Sequence, residues 1–238
     1  MKRLGYFYQM ESNHPVRWLD QIHADLSLLY SKIREGEHQR QDFKFRIDSS
    51  EKIAKTLAAF ANTDGGRILI GVKDNGKIAG IDPEEEYYMI EGASSLHCKP
   101  KVEFSCKVYE DEKGKKVLEI NIEPSEEKPH TCLNEKGNWR SYIRQEDEIF
   151  ETNRVIHTFI RHKSSKLKRK NFIEYGPEEK ALFSYLSDNP FISISKFCRL
   201  ASIPFKKAER ILVLFLQWGV IEFEATQNGI IFKLKEEG

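Results

Sequence analysis

The chain has 238 residues, 39% of them apolar and 32% charged, with a formal net charge of +1. That length holds one or two domains, and that much apolar material excludes a disordered chain. No run approaches the roughly 18 apolar residues of a membrane span, and Met1 to Arg17 lack the apolar stretch of an export signal, so a cytoplasmic protein without membrane contact is expected.

The four cysteines, Cys98, Cys106, Cys132 and Cys198, contain no Cys-x-x-Cys and are expected as reduced thiols. The net charge hides an asymmetry. Residues 1–150 hold 23 Lys/Arg against 27 Asp/Glu, a balance of −4, and residues 151–238 hold 15 against 10, a balance of +5. A polyanion responds to such a local excess and not to the total.

From about Val16 to Arg34, apolar residues at Trp18, Leu19, Ile22, Leu26, Leu29 and Ile33 have the spacing of one helix face. Gln41 to Asp48 alternates, with Phe43, Phe45 and Ile47 against Asp42, Lys44 and Arg46, which predicts a half-buried strand. Ser49 and Ser50 suit the cap of a helix from about Glu51 to Ala61, which Gly65-Gly66 stops. Arg67 to Val72 reads as a central strand, Lys73–Lys77 as a tight turn, and Ile78–Ile81 as the returning strand of a hairpin. A helix is expected from about Pro83 to Ser95. Strands follow at 102–109, 116–122 and 139–144, then a helix at about Asn153–His162.

Six of the ten residues Arg161–Lys170 are Lys or Arg and none is acidic, which marks either a solvated linker or a phosphate-binding segment. Beyond it, helices are predicted at Pro177–Asp188, Ser195–Ser202 and Pro204–Trp218. Two strands at Val220–Ala225 and Ile230–Leu234 follow, joined through Asn228-Gly229. Three helices and a hairpin is the order of a winged helix-turn-helix. In its third helix Phe205, Ala208, Ile211, Leu212, Phe215 and Trp218 form the expected core face, while Lys206, Lys207 and Arg210 cluster elsewhere. Such cations can reach phosphates and guanine edges from the major groove. Trp18 and Trp139 are expected in cores as well.

The run from Phe60 to Val72, with Asn62-Thr63-Asp64-Gly65-Gly66-Arg67 at its centre, is the most distinctive part of the chain. Gly36-Glu37 and Asp42-Phe43-Lys44 precede it. Asp74 to Ile81, Lys128-Pro129-His130 and Tyr142-Ile143-Arg144 follow it. In that order these residues resemble the Schlafen AlbA-type domain, over roughly residues 30–150, as found in bacterial proteins described as DNA-binding or ATP-binding regulators. The glycines have a physical reading too: amides exposed at a sharp turn could bind a phosphate beside Arg67, or the turn could be a plain helix stop feeding a buried strand. A P-loop is excluded, because Gly71 to Lys77 is followed by Ile78 where a magnesium-binding hydroxyl is required.

In nuclease members of the Schlafen family, two acidic residues five apart and a third after the glycine-containing strand hold a divalent ion and cleave RNA. By position the resemblance assigns those places to Glu37, Asp42 and Asp74, with Lys44 neutralising backbone nearby, although Asp42 stands where the nucleases usually carry Glu. Strict alternation would set Glu37 and Asp42 on opposite faces unless a turn intervenes. His97, Cys98, Cys106, His130 and Cys132 match no standard zinc spacing.

The expectation is thus an α+β protein. It has an N-terminal extension (1–35), a mixed-sheet Schlafen AlbA-type domain (36–152), a helix with a basic linker (153–172) and a winged helix (173–238). The leading function is DNA binding in transcriptional regulation, without a cofactor, through Lys44, Arg67, Lys168, Arg169, Lys170, Lys206, Lys207 and Arg210. One alternative is a magnesium- or manganese-dependent endoribonuclease acting on structured RNA through Glu37, Asp42 and Asp74. The other is a scaffold whose C-terminal module pairs chains into a homo-oligomer.

Overall fold

The structure, a computed structural model, describes residues 22–23, 26–134, 136–164 and 176–235. It is an α+β fold. In chain order run β1 (Ile22–His23), α1 (Leu26–Glu35), β2 (Gln41–Lys44), α2 (Ser50–Asn62), β3 (Gly66–Ile70), α3 (Pro83–His97), β4 (Cys98–Lys99), β5 (Ser105–Glu110), β6 (Lys116–Ile122), β7 (Thr131–Leu133), β8 (Trp139–Gln145), β9 (Glu148–Glu151) and α4 (Arg154–Ser164). After the basic segment come α5 (Pro177–Asp188), β10 (Ile192–Ser193), α6 (Ile194–Leu200), α7 (Phe205–Trp218), β11 (Ile221–Thr226) and β12 (Gly229–Leu234). No helix among the described residues is long and apolar enough to cross a membrane.

Helix α2 is the axle of the first part. The Ser49 side chain accepts from Lys52 N at its start, as its sequence position predicts. Alanines at 54, 58, 59 and 61 keep its girth small, so sheets can approach on more than one side. It packs Leu57 and Phe60 among Ile68, Ile70 and Ile120 of a five-stranded mixed sheet, in the order β1-β5-β6-β3-β2. Cys132 and Tyr142 of a second, antiparallel sheet, in the order β4-β7-β8-β9, join the same core. The opposite face of the mixed sheet buries Leu69, Phe43 and Val117 against Leu29 of α1. Strand β3 therefore reads as a continuous apolar run because both of its faces are covered.

A second core lies around α7. Leu182, Phe197, Leu212, Phe215 and Phe232 meet there, with the antiparallel sheet β10-β12-β11 closing one side. Val155, Ile156 and Ile160 of α4 belong to this core, as does Ile143 of β8. Polar contacts reinforce the α4–α7 seam: Thr158 Oγ1 donates to Glu209 at 2.9 Å, and Arg154 Nε lies 3.0 Å from the same carboxylate.

Several sequence expectations give way. The helix predicted from Val16 begins only at Leu26, because Ile22–His23 pair in parallel with Val108 and Tyr109 of β5; residues before 22, Trp18 among them, lie outside the described residues. Strand β2 stops at Lys44, and Phe45 is exposed. The chain leaves the sheet there, and by Ile47 its amide donates to Glu86 Oε2. The expected 78–81 return is one bridge, Val72 to Ile78, since the partner of β3 on that side is β6. Strands β4, β7 and β9 are too short to show a period. At the two ends of α7, Phe205 and Trp218 are exposed although the helical stripe predicts burial, while Ala208, Ile211, Leu212 and Phe215 between them are buried. Trp139 is half-buried, with Lys99 Nζ 4.2 Å from its ring centroid.

Candidate functional site

The turn that alternation demanded between Glu37 and Asp42 is present. Gly36 adopts φ +73°, and His38 and Gln41 exchange both backbone hydrogen bonds at 3.0 Å around Gln39-Arg40. The chain doubles back, so Glu37 Oε1 accepts from Phe43 N at 2.9 Å and stands beside Asp42. Burial raises the Glu37 pKa above the ordinary carboxylate value, and the Asp42 charge adds to that, against the Phe43 amide and Lys44.

Arg144 of β8 organises this corner. Its guanidinium is buried 4.8 Å from the Phe60 ring and donates to His38 O (3.1 Å) and Gln41 O (2.9 Å), with Nη1 3.6 Å from Asp42 Oδ1. Burial lowers its pKa, and Asp42 and Glu37 oppose that fall. Lys44 Nζ sits 2.6 Å from Asp42 Oδ2 and donates to Phe43 O, so the Asp42 contact is an ion pair without hydrogen-bond alignment. Two cations thus balance the two carboxylates. Asp74 does not join them: it lies on the exposed Lys73–Lys77 turn, and among the described residues no three His, Cys, Asp or Glu side chains converge as metal ligands.

Other sequence candidates make contacts within the fold. A Cβ on Gly65 would stand 2.6 Å from Ile122 O, and one on Gly66 2.6 Å from Arg40 O, so these glycines allow backbone to approach backbone. The Gly65 amide donates to Phe60 O and the Arg67 amide to Arg40 O, so neither is free to hold a phosphate. The Arg67 guanidinium pairs with Glu35 and donates to Gln41 Oε1. Asn62, to which the sequence assigned no role, fastens two stretches of backbone: Nδ2 donates to His130 O and Tyr142 O, and Oδ1 accepts from His130 N. Gln39, equally silent in the sequence, donates to Asp64 and Arg144 O and accepts from Glu146 N. Buried His130 holds Nδ1 2.9 Å from Pro100 O, and burial lowers its pKa, so it is neutral at physiological pH. It borders a cleft of about 370 Å³ with Lys101, Glu123, Ser125 and Glu127, whose acidic rim is ill-suited to a polyanion.

On α7, Lys206, Lys207 and Arg210 all project into solvent from the first turns. Lys207 Nζ donates to Glu178 of α5 at 2.5 Å. Lys206 and Arg210 have no acidic partner among the described residues. The hairpin β11–β12 is tied down: Gln145 of β8 brackets Ala225, accepting from its amide (2.9 Å) and donating to its carbonyl (3.2 Å), and Gln227 donates to Glu148. Lys168, Arg169 and Lys170 lie outside the described residues.

Residues 37–153 match the family model described as Schlafen, AlbA_2. Among solved structures, the DIP2311 protein from Corynebacterium diphtheriae aligns at 18% identity and a TM-score of 0.41 over 68% of this chain, which spans 36% of that one. The N-terminal domain of a RecG-related protein from Nitrosomonas europaea aligns at 13% identity and a TM-score of 0.34, covering 62% of this chain and 93% of that one. No curated protein matches the chain.

Proposed function

Residues 37–153 of this chain belong to the Schlafen, AlbA_2 family, and from that premise we propose a nucleic-acid-binding protein whose C-terminal part is a winged helix that binds duplex DNA in a transcriptional role. The observation that carries this reading is the exposed cation cluster on the first turns of α7, Lys206 and Arg210 with Lys207 beside them. It stands on a rigid helix at the end that in such modules enters the major groove. The hairpin, held against Glu148 and Gln145, contributes little in this arrangement, so α7 is the reading element. Lys168, Arg169 and Lys170 extend the same positive charge along the chain and belong to the proposal on charge alone.

The test is equilibrium binding to duplex DNA at several salt concentrations. Changing Lys206, Lys207 and Arg210 together to Ala should weaken binding and reduce the slope of log K against log salt by about 1 per lost phosphate contact. An unchanged affinity and slope removes α7 as the interface. Neutralising Lys168, Arg169 and Lys170 should lower affinity about equally for every sequence, as phosphate contacts do.

The enzyme alternative keeps one observation in its favour, the meeting of Glu37 and Asp42. Against it, Lys44 and Arg144 already balance that pair, and Asp74 is elsewhere. No manganese-dependent cleavage of structured RNA is expected. Cleavage by the wild type that disappears in Glu37→Gln and in Asp74→Ala would replace the regulator with a nuclease.

A further inference from the structure

Cys98 and Cys132 face each other directly across the β4–β7 pairing, and their sulfurs lie 3.6 Å apart. Both side chains are buried, and both thiols reach the same acceptor, Ala54 O of α2, at 3.5 and 3.2 Å. Directly opposed residues of antiparallel strands have Cα atoms about 4.5–5.5 Å apart, inside the range of about 4.4–6.8 Å that a disulfide requires. The sulfurs can therefore meet by side-chain rotation, with the backbone in place. The other two cysteines, Cys106 and Cys198, have no such partner among the described residues.

We propose that Cys98 and Cys132 form a redox site, a dithiol that a two-electron oxidant of the peroxide or small-molecule disulfide class converts to a disulfide joining β4 to β7. With hydrogen peroxide, one S–S bond forms and the O–O bond breaks. Both sulfurs are oxidised, and the two thiol protons leave with the oxygens as two waters. With a small-molecule disulfide, one protein thiolate attacks to give a mixed disulfide and releases one small thiol. The second protein thiolate then displaces the other.

The surroundings decide both the rate and the consequence. Contact with Cys132, followed by burial, holds the Cys98 thiol protonated, so reaction in the closed state is slow and proceeds through local opening of the short β4–β7 pairing. Cys106 differs in geometry: it faces no second thiol among the described residues, and burial also pushes its pKa up to about 12. The cross-link would lie beside the clamp in which Asn62 grips His130 and His130 reaches Pro100, two residues from each sulfur. It would lock the end of α3 to the sheet that carries Arg144.

The intact protein can be incubated with hydrogen peroxide, or in parallel with oxidised glutathione, then alkylated, digested and analysed by mass spectrometry. A cross-linked peptide containing Cys98 and Cys132 is expected, lost on treatment with dithiothreitol and still formed in a Cys106→Ser, Cys198→Ser variant. The oxidised form should melt higher by about 5 °C or more, since the link restrains a loop of the unfolded chain. Full alkylation of Cys98 and Cys132 after oxidant has consumed Cys106 or Cys198 would overturn the proposal. So would a link that forms only in denaturant, or one that leaves the melting temperature unchanged or lower. These readouts keep Cys98 and Cys132 in place, so they hold even where Cys98→Ser or Cys132→Ser fails to fold.

Discussion

Arg144 holds together a corner that carries opposite charges in close quarters. Replacing it with Met would leave Asp42 and Glu37 half-desolvated without their deepest cation, and a loss of about 3–5 kcal/mol is expected in urea unfolding. A second buried ion pair sits on the other face of the sheet, where Lys32 Nζ lies 2.5 Å from Glu119 Oε2 and Tyr109 donates to the same oxygen. The two glutamates respond to acid in opposite ways. Burial raises Glu119, but Lys32, Asn121 and Tyr109 pull harder, so its folded pKa is lowered. Its stabilisation is present above the unfolded carboxylate range near pH 4.3 and is lost as the pH falls below it. Glu37 is raised, so its ionisation opposes folding above that range. Glu37→Gln should therefore stabilise the protein at pH 7 and lose that advantage as the pH is taken down to 4, whereas Lys32→Met should flatten the acid limb of the stability curve. Urea titrations at several pH values read both. Asp74→Ala, on an exposed turn, should shift stability by no more than about 0.5 kcal/mol.

At the level of elements, α2 and its exit explain most of what the sequence made legible. A Ser cap, a stripe of apolar residues and two glycines put the helix and the next strand within a residue or two of where they lie, because those signals are local. The carboxylate corner was half legible: the family resemblance set Glu37 and Asp42 together while strict alternation set them apart, and the turn that joins them depends on Arg144, more than a hundred residues away in the chain. Asn62 stood in the distinctive run without a role and Gln39 gave no signal, since a side chain that satisfies distant backbone has no period. The same helix exit supplies a firm prediction. Gly66 has φ +152°, and its missing side chain leaves room for Arg40 O and the Phe60 ring. Gly66→Ala should cost about 3 kcal/mol or more, and Asn62→Ala a similar amount through three orphaned backbone partners, both measurable by thermal unfolding.

For the whole molecule, charge and packing divide the chain differently. Charge separates an acidic N-terminal stretch from a basic C-terminal one, with the border near residue 150. Packing ignores that border: Ile143, Val155, Ile156 and Ile160 stand on one side of the basic segment and share a core with Leu182, Leu212 and Phe232 on the other. Gln145 adds a polar latch onto Ala225. Gln145→Ala should accordingly speed amide exchange in β11 and leave the exchange of β3 unchanged, as hydrogen-exchange mass spectrometry would record.

The shared core also bears on how the protein can be taken apart. The basic segment looks like the natural place for scissors, yet a fragment ending at residue 164 would carry an oily strip along α4 with nothing to lie against. Such a piece should come off a sizing column as aggregate, and the complementary piece should be poorly folded alone. Mixing the two should restore a soluble one-to-one pair. The stretch that reads as a boundary in the alphabet of residues is, for the folded protein, a tether between two halves of one interior.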